Sequence, residues 1–450
     1  MSEMDHKTLG DIFQEINREF SEMQPTNLDE LEDSVLRAMQ KLGSYLMEKK
    51  IEDWNIQLYQ DKQETCEKCG SKLKHKQEER QIATWVSDVT IKRYKRYCPE
   101  CKETEYPLDQ VLGLQPRQRY SNSVEELTVL CGASWDYGKS EYIMKKVLRR
   151  PCVSHETIFN KTNEVGESIS KELEGTKIKE LETDKKAQGD YFDNMEVADI
   201  NDQPTPIVYM DMDGVMINSR DNEKRMEGKV AVVWSKRELV KSDAYALTDK
   251  RYMGSFTDPE RFYWDVTAEL YKRSGGKMDD IPSLVRGDGA PFIRGFRADY
   301  APMSRYLLDH YHLCEKLKGR LGALYEDKER RKEAISRTLE YLNSDDVDGA
   351  LGYIQKLIDK FRSKRKLYHL KKLAAYIERN REGIWYKEAR EKGISIGSGS
   401  ADKAGDILIC RRMKLRGMRW CRQKADNVLN IRILVLNGEW DEFWKKHKAA

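Results

Sequence analysis

Residues 207–214 read Ile-Val-Tyr-Met-Asp-Met-Asp-Gly. An apolar run that passes into two alternating aspartates and a glycine is the pattern of a buried strand delivering carboxylates at its end. Side chains alternate along a strand, so Asp211 and Asp213 share one face. Downstream, Val230–Trp234 and Tyr252–Phe256 read as two more strands, Pro259–Lys272 as a helix, and Ser283–Val285 as a buried strand running into Arg286-Gly287-Asp288-Gly289. Tyr306–Leu308 is a further strand, ending in Asp309-His310-Tyr311-His312. This order predicts an α/β core whose strand ends bring carboxylates together. Residues 313–392 carry long helical patterns with few turn signals. Gly393-Ile-Ser-Ile-Gly397-Ser-Gly399-Ser-Ala-Asp402 then opens another helix, which runs through Arg411-Arg412-Met413-Lys414.

Upstream of this core the sequence carries different signals. Cys66-x-x-Cys69 and Cys98-x-x-Cys101 are separated by 28 residues. Two such knuckles, each on a tight turn, supply four soft thiolates to one tetrahedral Zn²⁺. Between them Ile82, Thr84, Val86 and then Val89, Ile91 alternate as strands do, with Ser87-Asp88 as the turn, so a zinc ribbon with a hairpin is expected. Nearer the N-terminus, Leu31, Val35, Met39, Leu42 and Leu46 recur at helical spacing, which suits packing or a dimer contact. From Ser123 to Ser168 three helical segments are broken at Gly132–Tyr137 and at Arg150-Pro151-Cys152. Ser154 caps the third, Glu156 complements its dipole, and Ser154–Glu164 is the candidate recognition helix of a helix-turn-helix, with Ser154 and His155 leading it toward DNA. An ordinary three-helix packing unit fits the same pattern. Glu167–Asp202 reads as a charged helix plus linker.

The whole chain of 450 residues is 39% hydrophobic and 35% charged, which excludes general disorder. It has no apolar run of membrane-spanning length and no apolar signal segment, so neither a membrane partner nor secretion is expected and a cytoplasmic, nucleoid-associated location is. Nine cysteines, four of them in CxxC pairs, fit metal binding better than disulfides. Net charge is only +3, yet residues 313–392 hold 21 Lys/Arg against 14 Asp/Glu and residues 403–450 hold 12 against 5. Basic surface gathered toward the C-terminus suits a polyanion, and Arg411, Arg412, Lys414, Arg416 and Arg419 are the candidate phosphate contacts. Trp420, Trp440 and Trp444 read as core more readily than as stacking platforms for bases.

Asp213, Asp288 and Asp402 are hard oxygen ligands, the donor set for a pair of Mg²⁺ (or Mn²⁺) ions in phosphodiester chemistry. On residues alone two alternatives stay open. Asp211 is as well placed as Asp213 for the first ligand, and Glu388 is a second candidate for the third. A different class of enzyme also fits. The run ending in Asp211-Met-Asp213-Gly-Val resembles the first motif of haloacid-dehalogenase-type phosphatases, with Asp211 as nucleophile and Asp213 as acid/base, but the acid those enzymes carry shortly after the Asp288 motif is missing from Ala290-Pro-Phe-Ile293.

Asp213-Gly214, Gly287-Asp-Gly-Ala290, Asp309-x-x-His312, Ile396-Gly-Ser-Gly399, Arg411-Arg-Met-Lys414, Gly417-Met-Arg-Trp420 and Trp440-Asp-Glu-Phe-Trp444 together resemble the DDE transposases of the ISKra group of bacterial insertion sequences, a Mutator-like class. The resemblance covers about 380 of the 450 residues. It implies an α+β multidomain chain: N-terminal helices (1–60), zinc ribbon (61–115), helix-turn-helix (120–170), and an RNase H-like core in two parts (203–312 and 393–450) around a helical insertion (313–392). It implies Asp213 and Asp288 as the first two metal ligands, Asp309, His312 and Asp211 in support, and a homodimer that binds element ends in double-stranded DNA and cuts and joins strands. The third acid, usually glutamate, falls on Asp402. One methylene fewer sets its carboxylate about 1.5 Å nearer the backbone. The alternative is a transposase descendant that binds DNA with weakened catalysis.

Overall fold

The computed structural model describes residues 8–151, 153–188, 207–241, 244–276, 278 and 281–449. Cys152, the predicted linker over 189–202 and the first residues of the predicted core (203–206) lie outside the described residues. The chain divides into two compact units, Met1–Thr162 with Asp441–Ala450, and Asn163–Trp440.

The first unit begins with helices α1 (Leu9–Glu22) and α2 (Leu28–Gln60), each started by a side-chain cap, Thr8 and Asn27 respectively. The predicted periodicity of α2 is present, but Leu31, Val35, Met39 and Leu46 are exposed, so that stripe is not a core face. A three-stranded antiparallel sheet follows: β1 (Lys74–Ala83), β2 (Asp88–Tyr97) and β3 (Thr104–Glu105). The hairpin turns at Thr84–Ser87, where the Thr84 N–H donates to the Ser87 carbonyl at 2.9 Å. Thr84 and Val86 therefore stand in the turn and Asp88 opens β2, a correction to the expected strand boundary. Ile82, Val89 and Ile91 pack with Ile51 of α2 and Leu108 of α3 (Pro107–Val111).

Helices α4 (Asn122–Ser134), α5 (Tyr137–Leu148) and α6 (His155–Gln188) form the expected trio. Gly132 is not the break: it lies inside α4, and a Cβ there would meet Thr162 Oγ1 of α6 at 2.1 Å. The glycine is what lets the two helices touch. The actual break is Trp135-Asp136, where Asp136 caps α5 through the Lys139 N–H. Helix α17 (Trp440–Ala449) carries Trp440 and Trp444, both buried.

The second unit is built on one five-stranded mixed sheet in the order β6-β5-β4-β7-β8. Strands β4 (Val208–Asn218), β5 (Arg225–Lys241) and β6 (Ala244–Ser255) form an antiparallel meander, and β7 (Ser283–Gly287) and β8 (Arg305–Leu308) extend it in parallel with β4. The β5–β6 hairpin is much longer than its apolar signal. Its outer half carries Lys236, Arg237 and Glu238, exposed residues with no buried face to mark them as strand.

Each face of the sheet has its own core. Val208, Met210 and Met212 of β4 pack with α7 (Pro259–Arg273), α8 (Pro291–Tyr300) and the helical region α9 (His310–Leu321), α10 (Lys328–Asn343), α11 (Val347–Lys360), α12 (Lys364–Arg379) and α13 (Tyr386–Glu391). Val215 and Ile217, of opposite parity, pack with α14 (Gly399–Gly405), a π-helical turn at Asp406–Cys410, α15 (Arg411–Met413) and α16 (Arg422–Leu436). Period-two alternation along β4 thus feeds two cores and leaves the aspartates on the second face. Among the described residues no helix is long and apolar enough to cross a membrane.

Candidate functional site

Asp213 lies within β4 opposite Val230 of β5 and is half-buried. Asp211 is paired with Arg286 in the parallel β4–β7 ladder, and two residues further along each chain stand Asp213 and Asp288. Asp288 follows β7 in an Asx turn, its Oδ1 accepting the Ala290 N–H at 2.8 Å. Gly289 takes φ +82°, and a Cβ there would meet Asn380 Oδ1 at 2.6 Å, so the turn requires glycine. Asp402 is exposed in the first turn of α14, which lies on the sheet through Ala401, Ala404 and Gly405. A Cβ on Gly405 would stand 2.7 Å from Val215 Cγ2.

These three acids act on one another. Burial pushes the Asp213 carboxyl up to about 6; Asp288 and Asp402 add to that, while the Gly214 N–H and His312 oppose it. Although the residue as a whole is exposed, the packing around its carboxyl raises Asp402, as do the charges of Asp309, Glu315 and Asp288, against the pull of His312. His312 is raised to about 9, first by its hydrogen bond to Asp309, against the effect of burial, and then by the charges of Asp309, Asp402 and Asp213. It is therefore a cation at neutral pH facing the acids.

Two neighbouring aspartates are structural. Asp309 caps α9: Oδ1 accepts the His312 N–H at 2.8 Å and its Nδ1 at 3.1 Å, while Oδ2 accepts the Ser398 hydroxyl at 2.8 Å and the Ser398 N–H. Although burial works the other way, these bonds hold its carboxyl far below the usual range. Asp211 is fully buried. It accepts two bonds from Arg286, at 2.6 and 2.7 Å, one from Trp234 Nε1 at 2.7 Å, and the Ser400 hydroxyl. The Arg286 guanidinium also lies over the stacked rings of Tyr209 and Trp234. With both oxygens engaged, Asp211 does not compete with Asp213 as a ligand. Glu388 is also occupied: Arg305 holds it at 2.7 and 3.1 Å and Lys392 at 2.5 Å, which takes its carboxyl down to about 2.

The cysteines form a second centre. The four Sγ atoms of Cys66, Cys69, Cys98 and Cys101 lie within 4.8 Å of one another, with Cys66–Cys101 at 3.9 Å and Cys69–Cys98 at 3.5 Å. A tetrahedron with 2.3 Å Zn–S arms has edges of about 3.8 Å, so the four thiolates fit a zinc-sized ion. Both knuckles turn alike, with the N–H of Gly70 and of Lys102 donating to the carbonyls of Cys66 and Cys98 and both residues at positive φ. Among the described residues no other group of three or more His, Cys, Asp or Glu ligands is drawn this close.

The basic candidates separate. Arg412 is fully buried over the ring of Trp420, itself buried, and is a core residue with no access to phosphate. Helix α15 ends at Met413 and Gly417 turns the chain at φ +80°, so the cations do not share one helix as expected. Arg411 is exposed and paired with Asp406; Lys414, Arg416 and Arg419 are exposed. Ser154 caps α6 by accepting the Thr157 N–H at 3.3 Å, and the exposed His155 pairs with Glu141.

The profile of an uncharacterised protein family, UPF0236, matches residues 23–448, taking in the thiolate centre and the acids alike. The chain belongs to this family. It is also 23% identical over 373 residues to a UPF0236 protein in the vanSb 3′ region of Streptococcus gallolyticus, a match covering 82% of this chain and 75% of that one. In this UPF0236 chain the residues that sequence reasoning passed over are Arg286, Ser398 and Ser400, which tie the sheet to the start of α14 and the loop before it. Their signal was their place inside the Arg-Gly-Asp-Gly and Ile-Gly-Ser-Gly-Ser runs; what they bond to became visible only in three dimensions.

Proposed function

We propose that this UPF0236 protein is a DNA transposase whose Asp213, Asp288 and Asp402 hold divalent metal for strand cleavage and strand transfer. The observation that carries this reading is the sheet. A three-stranded meander extended by two parallel strands, with one acid in the central strand, one just after its parallel neighbour and one on a helix packed across them, is the arrangement an RNase H-like core needs. The donor set fits Mg²⁺, since all three are carboxylates and Asp213 is raised first by burial and then by the charges of the other two, a repulsion that a cation relieves. When bound, Mg²⁺ supplies activation of the attacking oxygen and stabilisation of the leaving one. The chain itself contributes positioning: Ser400 bonds to Asp211 of β4, the strand that carries Asp213, and Ser398 to Asp309 at the end of β8, holding the start of the Asp402 helix on the sheet. The His312 imidazolium, oriented by Asp309, offers positive charge to a phosphate at the same place.

The four-cysteine ribbon and the α4–α6 trio are assigned to DNA recognition, and the exposed apolar stripe of α2 to pairing of two copies. The phosphatase alternative is disfavoured because Asp211, its nucleophile, is fully buried within a strand and ion-paired to Arg286. A second reading, a descendant that binds DNA without cutting it, is favoured by the three acids not forming as tight a ligand group as the cysteines do. The test is Mg²⁺-dependent nicking of DNA carrying the sequences that flank the coding region. Cleavage by the wild type that is lost in Asp213→Asn and Asp288→Asn supports the transposase. Binding with no cleavage by the wild type, restored by Asp402→Glu, supports the descendant.

A further inference from the structure

Beside the cysteine centre, the first unit contains a groove of about 1180 Å³, walled by the ribbon strands β1–β3 and the loop that follows α3, whose charged lining has been given no contact above. Its lining carries Arg80, Arg93, Arg117, Arg119 and Lys448 against Glu105 and Asp109 only. The two acids are already engaged. Glu105 pairs with Arg96, and Asp109 Oδ2 takes both Arg80, at 2.6 Å, and Arg93. Arg117 and Arg119 are exposed, and among the described residues neither pairs with a carboxylate. The groove therefore presents uncompensated positive charge on a concave wall, where a polyanion gains most.

The loop that offers these two arginines is held stiffly. Arg80 donates to the carbonyls of Gln115, at 2.8 Å, and Gln118. The buried Gln118 side chain bonds to the Tyr120 carbonyl at 2.7 Å, to Asn122 Oδ1 at 3.0 Å and to the Gln115 N–H at 2.9 Å. Held at both ends, Arg117 takes φ +62°, a left-handed backbone that costs a side-chain-bearing residue about 1 kcal/mol and that glycine adopts freely. The chain keeps an arginine where the backbone asks for glycine, and strain retained in this way points to use of the side chain.

We propose that this groove seats the sugar-phosphate backbone of duplex DNA, with Arg117 and Arg119 each contacting a phosphate. The inference rests on the reading that the protein binds DNA, and adds a contact separate from both the α4–α6 trio and the acids. Because the contacts are to phosphate, they carry affinity without sequence preference.

The experiment is DNA binding by the full chain as Arg117→Gly and Arg119→Ala, singly and together, at several salt concentrations and on unrelated sequences. Each lost contact should lower the log-log salt slope by about 0.9 and the affinity at 0.15 M salt by about fivefold, and the double variant by about thirtyfold, on every sequence alike. Arg117→Gly should unfold at the wild-type temperature or slightly above it, since the substitution relieves the backbone, so weakened binding cannot be put down to misfolding. Unchanged affinity and slope in the double variant would overturn the groove while leaving the transposase reading standing, and a loss confined to one sequence would overturn a backbone contact in favour of base readout. Wild type that binds DNA through these arginines but never cleaves it would overturn the transposase reading and not the groove. No DNA binding by the wild type would overturn both.

Discussion

Replacing Asp213 by Asn should stabilise the protein at neutral pH while abolishing the DNA cleavage proposed for it. The Asp213 carboxyl is raised from 3.8 to about 6 by burial and by the two acids beside it. A folded-state pKa above the unfolded one means that the stabilising contribution is complete below 3.8 and is lost as pH rises through 6. The difference amounts to about 3 kcal/mol at pH 8 and about 0.6 kcal/mol at pH 4. A neutral amide of nearly the same shape escapes that penalty. For a unit of this size about 3 kcal/mol raises Tm by about 5 °C. Thermal unfolding of wild type and Asp213→Asn in chelator at pH 4, 6 and 8 checks this: the two should nearly coincide at pH 4 and separate as pH rises. Adding Mg²⁺ at pH 8 should raise the wild type more than the variant and close much of the gap, because the ion stabilises only a folded state that binds it. A gap that does not change with pH, or a variant less stable than wild type at pH 8, would refute the argument that burial and the neighbouring acids raise the Asp213 carboxyl. A Mg²⁺ response equal in both proteins would refute Asp213 as a ligand.

Three further outcomes are expected. Purified protein should carry one zinc per chain by elemental analysis, and Cys66→Ser should lose it; an unchanged metal content would remove the thiolate site. Asp309→Asn should bring the His312 pKa from about 9 back toward its ordinary 6.5, so that the imidazolium present at pH 7.5 in wild type becomes mostly neutral; NMR titration of the ring reads this directly, and an unmoved pKa would deny the Asp309 hydrogen bond its role. Arg412→Ala should cost about 2–4 kcal/mol of stability, since it empties a buried position against Trp420, whereas Arg416→Ala should leave unfolding unchanged; equal small effects would return Arg412 to the surface.

What was legible in the sequence followed burial. The apolar runs of β4, β7 and β8 marked themselves because both faces of the sheet are covered, and the CxxC spacing marked the thiolate centre because a tetrahedral ion admits few arrangements. The outer half of the β5–β6 hairpin did not, since exposed alternating charge has no signature distinct from a loop. Gly132 misled because a glycine that admits a neighbouring helix and a glycine that ends one are the same letter. At the site, alternation put Asp211 and Asp213 on one face but could not say which was free. That depended on Arg286, its register partner on the neighbouring strand and 75 residues along the chain. The basic run that begins in α15 misled in the same way, for a helix pattern hides which cation lies under a tryptophan.

The bond from Ser400 to Asp211 closes a loop of 189 residues, and that from Ser398 to Asp309 one of 89. Loops this long carry a large closure cost, which falls once the intervening helices α9–α13 pack on the first face of the sheet. The third acid therefore joins the other two only when this unit has folded nearly to its end. A chain still being synthesised, or one cut short before Ser398, has both strand aspartates but no complete acid set. Latency is thus written into the order of the chain: the three acids meet only in a chain whose α14 has docked on the sheet.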